Sequence, residues 1–305
     1  AEVTVEYQDT YEDAGATALD NFNGDITNDI VTAFKKKKTT PESLFFSEYC
    51  EGSSNNKYLE IYNPTDSIIS LDDYAYPTVG NAPLYPGNYE YWNSFPSGAE
   101  IMPKGFFIIT HPSANSSILS KSDQTFRYLS NGDDGLKLVK KLDGATRWGQ
   151  AGLEGSYPNQ VINRNIAREG IDFEVIDTLG DWNRDPGSGW AVAGTGSATR
   201  NHTLVRKSSV TKGNPNWDAS RGTNSDNSEW IVKNIDDFTN LGQHTINAYT
   251  TVDSVDTNVL GEYTVTYNVT DSNGNSAVEV TRKVNVVDST KPVITLLGEA
   301  EVTVE

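Results

Sequence analysis

Residues 262–288 read EYTVTYNVTDSNGNSAVEVTRKVNVVD. Val, Thr and Tyr alternate with their neighbours on either side of the polar run DSNGN at 271–275. That pattern predicts two strands folded into a β-hairpin, with a period of two interrupted by turn-forming residues. A hairpin alone is marginal in water, because its apolar face needs further strands to cover it. The opposite end of the chain supplies candidates. AEVTVEY (residues 1–7) alternates too, placing Val3 and Val5 on one face and Thr4 and Glu6 on the other. A turn-rich stretch follows, TYEDAGATALDNFNGDIT (10–27), and then a short strand around residues 30–32.

Composition supports the same class. The 305 residues include 15 Tyr, 10 Phe and 6 Trp but one Met and one Cys, and 36% are hydrophobic. Aromatic and β-branched residues among many turn formers describe an all-β chain, and the length suggests two domains. The formal net charge of −18 argues against nucleic acid, which demands a basic footprint. It suits a soluble surface, or one that holds divalent cations. No apolar run approaches the ~20 residues of a membrane span. No leader is visible, but Ala1 need not begin the gene product, so export is left open. Cys50 is the lone cysteine, which excludes an intrachain disulfide and predicts a small buried hydrophobe. The basic run KKKK (35–38) reads as a solvated linker.

Residues 11–27 and 255–288 together resemble the bacterial surface-type Ig-like domains, whose pattern runs PVITLLG, VTVE, YxDxGATAxDNxDGDIT and then GxYTVTYxVTDxxGN to a closing VxVVD. One element is out of place. PVITLLG stands here at 292–298, after the last strand, whereas in the family pattern it leads the module. AEVTVE also occurs twice, at 1–6 and at 300–305, an offset of 299 residues. The resemblance therefore implies an Ig-like module without its own leading strand, followed by the leading strand of another.

A long insert separates the halves. SLFFSEYCEGSSNNKYLEIYNPT (43–65), ISLDDY (69–74), PKGFFIITHPSA (103–114), LSNGDDGLKLVK (129–140), IDTLGD (176–181), DPGSGW (185–190), TLVRK (203–207), EWIVKN (229–234) and FTNLGQHT (238–245) resemble, in order, the lamin-tail family of Ig-fold sandwiches. Residues 75–101 and 145–170 exceed that family's core and read as decorating loops. The expected fold is thus all-β, two Ig-like β-sandwiches, one inserted in the other. Its parts are 1–40 and 246–290 (the split Ig-like module), 41–245 (the lamin-tail domain) and 291–305 (a leading or donor-type strand).

A sandwich lacking an edge strand exposes unpaired backbone and an apolar slot, and such a slot is filled by strand addition. The expected interface comprises Val293, Ile294, Thr295, Leu296, Leu297, Val302 and Val304 as donor, with Val3, Val5, Val284 and Val286 in the acceptor strands. Identical subunits or neighbouring repeats, head to tail, are the expected partners. A head-to-tail contact that does not close propagates into a filament.

For a metal, Asp20, Asn21, Asn23 and Asp25 crowd oxygen atoms around Gly24, with Asp288 at the module junction. Calcium takes six to eight oxygen ligands and is the candidate ion, with Asx turns as the competing reading. No other cofactor is expected. Catalysis has little support: there is no G-x-S-x-G elbow, no HExxH, and His111, His202 and His244 fall in unrelated contexts. The expected protein is an extracellular, non-enzymatic structural subunit. Two alternatives stand beside it. One is a surface adhesin binding glycan or protein through the aromatic run Tyr74, Tyr76, Tyr85, Tyr89, Tyr91 and Trp92, whose rings read equally as the small core of a long loop or as packing against a neighbouring subunit. The other is an accessory region of a large secreted hydrolase, as the lamin-tail resemblance implies.

Overall fold

In the computed structural model, residues 2–38, 43–129, 131–247, 249–295 and 297 are described. The chain divides into two compact units, residues 1–39 with 248–305, and residues 40–247. Both are built almost wholly from β-strands.

The first unit is a five-stranded sheet in the order Glu2–Glu6, Val280–Val287, Gly261–Asn268, Val31–Lys37, Tyr249–Val252. The hairpin read from the sequence forms its centre, with Tyr263 opposite Val284 and Tyr267 opposite Val280. Glu2–Glu6 lies parallel to Val280–Val287, pairing Val3 with Val284 and Val5 with Val286. The period-two pattern then places Val5, Tyr263, Val265, Tyr267, Val284 and Val286 on one buried face. Each such side chain contributes about 1.5–3 kcal/mol on burial. The layer over that face is thin. Tyr11, Ala16, Ile30 and Val255 pack onto it from connecting segments, and its only ladder among the described residues is the two-residue pair Leu19–Asp20 with Gly24–Asp25.

The lysine run departs from expectation. Lys35, Lys36 and Lys37 belong to the Val31–Lys37 strand, which pairs with Gly261–Asn268 on one side and Tyr249–Val252 on the other. Lys36 lies 5.5 Å over the Tyr263 ring and Lys37 reaches Glu262 at 3.6 Å. Ladder pairing overrode the polar composition, because long lysine stems can lie along a sheet with the ammonium in water.

The inserted unit is a sandwich. A six-stranded sheet runs Gln124–Thr125, Phe106–Thr110, Lys57–Tyr62, Phe45–Glu51, His202–Arg206, Trp230–Lys233, and a second sheet runs Phe173–Leu179, Gly135–Lys141, Tyr74–Ala75. One core joins them, with Phe46, Leu59, Ile61 and Leu204 meeting Leu136, Leu138, Leu179 and Trp190. The long loops are not ornaments. Tyr89, Phe173 and Trp182 form a second buried cluster against Val139, with Trp92 and Trp148 packed beside it, ring centroids 4.7 Å apart.

Two irregularities hold the sandwich together. The register slips at Ser47 in one sheet and at Ile176 in the other, each a bulge with one extra residue. Beside them Asp177 accepts hydrogen bonds from the Phe46 N–H (2.9 Å), the Asn214 N–H (2.9 Å) and the Arg206 guanidinium. Arg206 also donates to the Phe46 carbonyl at 3.1 Å, to Ser220 at 2.8 Å and to Glu229 at 2.7 Å, and lies 4.0 Å over the Trp230 ring. The side chains of Arg206 and Asp177 are fully buried. Removing one partner leaves the other charge stranded. Arg206→Met is accordingly expected to lower unfolding free energy by about 3–5 kcal/mol in urea titrations. Asp66→Ala, which breaks the exposed pair with Lys104, should cost no more than about 1 kcal/mol.

Candidate functional site: an assembly interface

In the split unit the first and last strands lie side by side. The parallel ladder between Glu2–Glu6 and Val280–Val287 brings Val287 beside Glu6. Glu6 then catches the following residues: its carboxylate accepts from the Ser289 N–H at 2.6 Å, the Ser289 hydroxyl at 2.7 Å and the Thr290 N–H at 3.2 Å. Those bonds hold the Glu6 carboxyl below its usual range. Beyond Thr290 the described residues, 291–295 and 297, are exposed. Val293, Ile294 and Leu297 are 89%, 94% and 93% exposed.

The expected interface residues therefore separate into two groups. Val5, Val284 and Val286 are buried in their own unit's core, and Val3 packs against it. They are paired with one another and present no empty slot. Val293, Ile294, Thr295 and Leu297 are exposed, and Leu296, Val302 and Val304 lie outside the described residues.

A charged knot pins segment 11–15 over the sheet. Asp13 accepts from the Tyr11 hydroxyl (2.9 Å), the Tyr267 hydroxyl (2.7 Å), the Gly15 N–H (3.0 Å) and the Arg282 guanidinium. Arg282 in turn donates to the Gly15 carbonyl at 3.0 Å. Gly15 turns the chain there with φ +69°, in the left-handed region that favours glycine. Burial pulls the Asp13 carboxyl upward, but the hydrogen bonds from Tyr267 and Tyr11 outweigh it and hold the group below its ordinary value. The knot has no local sequence signal, since its four side chains are spread from residue 11 to residue 282.

The calcium candidates are used locally. Asp20 accepts from the N–H groups of Phe22 (2.9 Å) and Asn23 (2.6 Å), and Asp25 from Thr27 (2.9 Å). The Asn23 amide donates to Ser272 at 2.7 Å, Asp288 accepts from the Thr290 N–H at 3.2 Å, and Asn21 is exposed. These are Asx-turn bonds, and among the described residues no three acidic, His or Cys side chains converge to hold an ion.

The polar residues of the insert serve its own frame. Glu51 pairs with Lys57 at 3.5 Å, and Lys57 donates to Asn131 at 2.6 Å. Glu48 and Glu60 face each other in register across two strands and are both buried. Tyr58 donates to Glu48, Ser47 donates to Glu60 at 2.6 Å, and the Gly242 N–H also donates to Glu60. Burial raises the Glu48 carboxyl to about 8 and that of Glu60 to about 7. His244 packs edge-on against Phe45 and Tyr62, and burial lowers it to about 4.

The signs give a stability profile. A carboxyl raised on folding binds protons more tightly in the native state, so its contribution is full below the unfolded value and lost as pH rises through 7–8. His244, lowered on folding, acts oppositely, but its effect is complete once the unfolded histidine has lost its proton near pH ~6.5. Thermal melts should therefore show stability falling between pH ~6.5 and ~8.5. Glu48→Gln with Glu60→Gln should flatten that slope.

Residues 225–286 match the family model described as the bacterial surface protein, Ig-like domain. The match takes in the Tyr249–Val252 and Gly261–Asn268 strands and nearly all of Val280–Val287, and it begins inside the inserted unit. No curated protein and no solved structure matches the chain significantly. Among the described residues no helix is long and apolar enough to cross a membrane. The stretch 225–286, which supplies three strands of the split unit's sheet, is thus similar to an Ig-like domain of bacterial surface proteins.

Proposed function

We propose that this chain is a structural unit of an extracellular repeat protein or filament, joined head to tail by strand complementation between Ig-like modules. The observation that carries this reading is the apolar stretch at 293–297. Val293, Ile294 and Leu297 are almost fully exposed in a chain whose other strand-forming valines are mostly in a core. Residues of that kind are disfavoured in water and need a partner. The repeat of AEVTVE at 1–6 and 300–305 supports a partner built like this chain. The similarity to a surface Ig-like domain supports an extracellular setting, and the inserted lamin-tail-like sandwich would be the displayed cargo of each unit.

Binding of glycan or protein by the aromatic run has less support. Tyr74, Tyr76 and Tyr89 are buried, and Tyr91 is the ring of that run with a large exposed area, 46%. The assembly reading is tested by sedimentation of the full chain against a chain ending at residue 290. The full chain is expected to form species of several chain masses that dissociate on boiling in SDS, while the shortened one stays monomeric. A full chain that sediments as a monomer at ~100 μM, a concentration that detects weak interfaces, overturns the reading.

A further inference from the structure

The strand-donation reading leaves open which surface accepts the strand, and the structure bears on that choice. Among the described residues the Glu2–Glu6 strand has one partner, Val280–Val287, which leaves its outer edge for another strand. The trough beside that edge is lined by Glu6, Asp9 and Glu12 with Arg282. An uncharged segment such as PVITLL would bury carboxylates there and gain no partner for them.

A second trough lies on the thin layer. It is lined by residues 16–20 and 276–280 with Tyr267 and Ile30, and small apolar groups, Ala16, Ala18 and Ala277, contribute to it. Asp20 and Asp271 line it too, but their carboxylates already accept the backbone N–H groups of Phe22 and Asn23 and of Asn273 and Asn275. Leu19, Val278 and Val280 flank it at 85%, 88% and 59% exposure. The backbone of one wall is also unfinished. Segment 11–18 forms no strand, and no backbone hydrogen bond is formed by Ala16 or Thr17, whereas the Ala18 carbonyl already accepts the Ile26 N–H at 3.0 Å. An open apolar trough next to unpaired main chain is what an added strand fills.

We propose that this trough, between residues 16–20 and 276–280, receives residues 292–297 of a second copy of this chain as an added strand along Ala16 and Thr17. The inference rests on the strand-donation reading and specifies its acceptor. The match is chemical. The donor carries no charge from Pro292 to Leu297, and the side chains at 293, 294 and 297 lack cover in their own chain. The recipient offers alanines where a branched side chain must enter. The added strand would complete the second layer of the sandwich, which in one chain has a single two-residue ladder among the described residues. Assembly by this route uses no residue of the inserted unit.

Cysteine cross-linking separates the possibilities. A chain carrying Ala18→Cys is mixed with a chain carrying Ile294→Cys and oxidised with copper phenanthroline, and the products are run on a non-reducing gel. Cys50 is buried and its thiol is pushed up to about 12, so it does not compete. A disulfide requires Cα atoms within ~7 Å, so it reports contact rather than proximity in general. Thr17→Cys, at an exposed position, serves if Ala18→Cys fails to fold, and Thr4→Cys reports the outer edge of Glu2–Glu6. The expected result is a two-chain band for Ala18→Cys or Thr17→Cys with Ile294→Cys, and none for Thr4→Cys. In the same series, Ile294→Asp should weaken assembly by about 30-fold or more. A band with Thr4→Cys alone would move the acceptor to the outer edge and leave strand donation standing. Assembly without any of these bands would also refute the trough. A double variant that oxidises to a one-chain species would mean the segment folds back within its own chain, against a second copy. Absence of bands together with a monomeric full chain would refute strand donation itself.

Discussion

Everything in the split unit depends on main-chain pairing between the first strand and the last. Among the described residues Glu2–Glu6 pairs with no strand near it in sequence, and its ladder is closed by Val280–Val287. The valines that make up that ladder are also the floor of the core. Closing a loop of such length costs entropy that grows slowly with its length, so a folded insert between the two ends is tolerated. The insertion point satisfies the same constraint. Lys37, where the chain leaves, is paired with Tyr249, where it returns. The insert therefore begins and ends at neighbouring positions of one sheet, as an insertion that leaves the host fold intact requires.

The inserted unit solves a different problem, the joining of two sheets through polar groups. Its bulges free the Phe46 N–H and carbonyl from regular ladder positions, and Asp177 and Arg206 take them up. Because both charges are satisfied many times over, the pair acts as a specific lock between the layers rather than a source of net stability. Glu48 and Glu60 form a second buried polar site within one sheet, where burial favours the protonated form.

Periodicity made part of this legible. The strands at 2–6, 261–268 and 280–287 follow from alternation of Val, Thr and Tyr. Cys50 was read as a small buried hydrophobe and is buried. Alternation reports which face a residue takes, not which strand it meets, so the parallel partner of Glu2–Glu6 was not visible. The lysines at 35–37 misled because composition is blind to ladder pairing on both sides. The burial of Glu48 and Glu60 had no local signal, because the cover over their face, Phe238, Leu241 and Gly242, comes from a segment far along the chain. For the aromatic run from Tyr74 the sequence leaves a binding surface, a loop core and a subunit contact equally open, and the structure makes it mostly a core, since its partners Trp148, Phe173 and Trp182 lie in other segments. The trough at residues 16–20 had no sequence signal, being defined by what fails to pair.

The parallel pairing of Glu2–Glu6 with Val280–Val287 has a mechanical meaning. Tension applied to a string of such units would enter at the start of one strand and leave at the end of its neighbour. Two parallel strands drawn in opposite directions must break their five paired positions together, whereas a hairpin opened from its ends peels one bond at a time. The load passes directly between these two strands. The 208 residues of the inserted unit, 40–247, are attached through Lys37 and Tyr249 and lie off that path, so a stretched chain could bear force while leaving its largest domain relaxed.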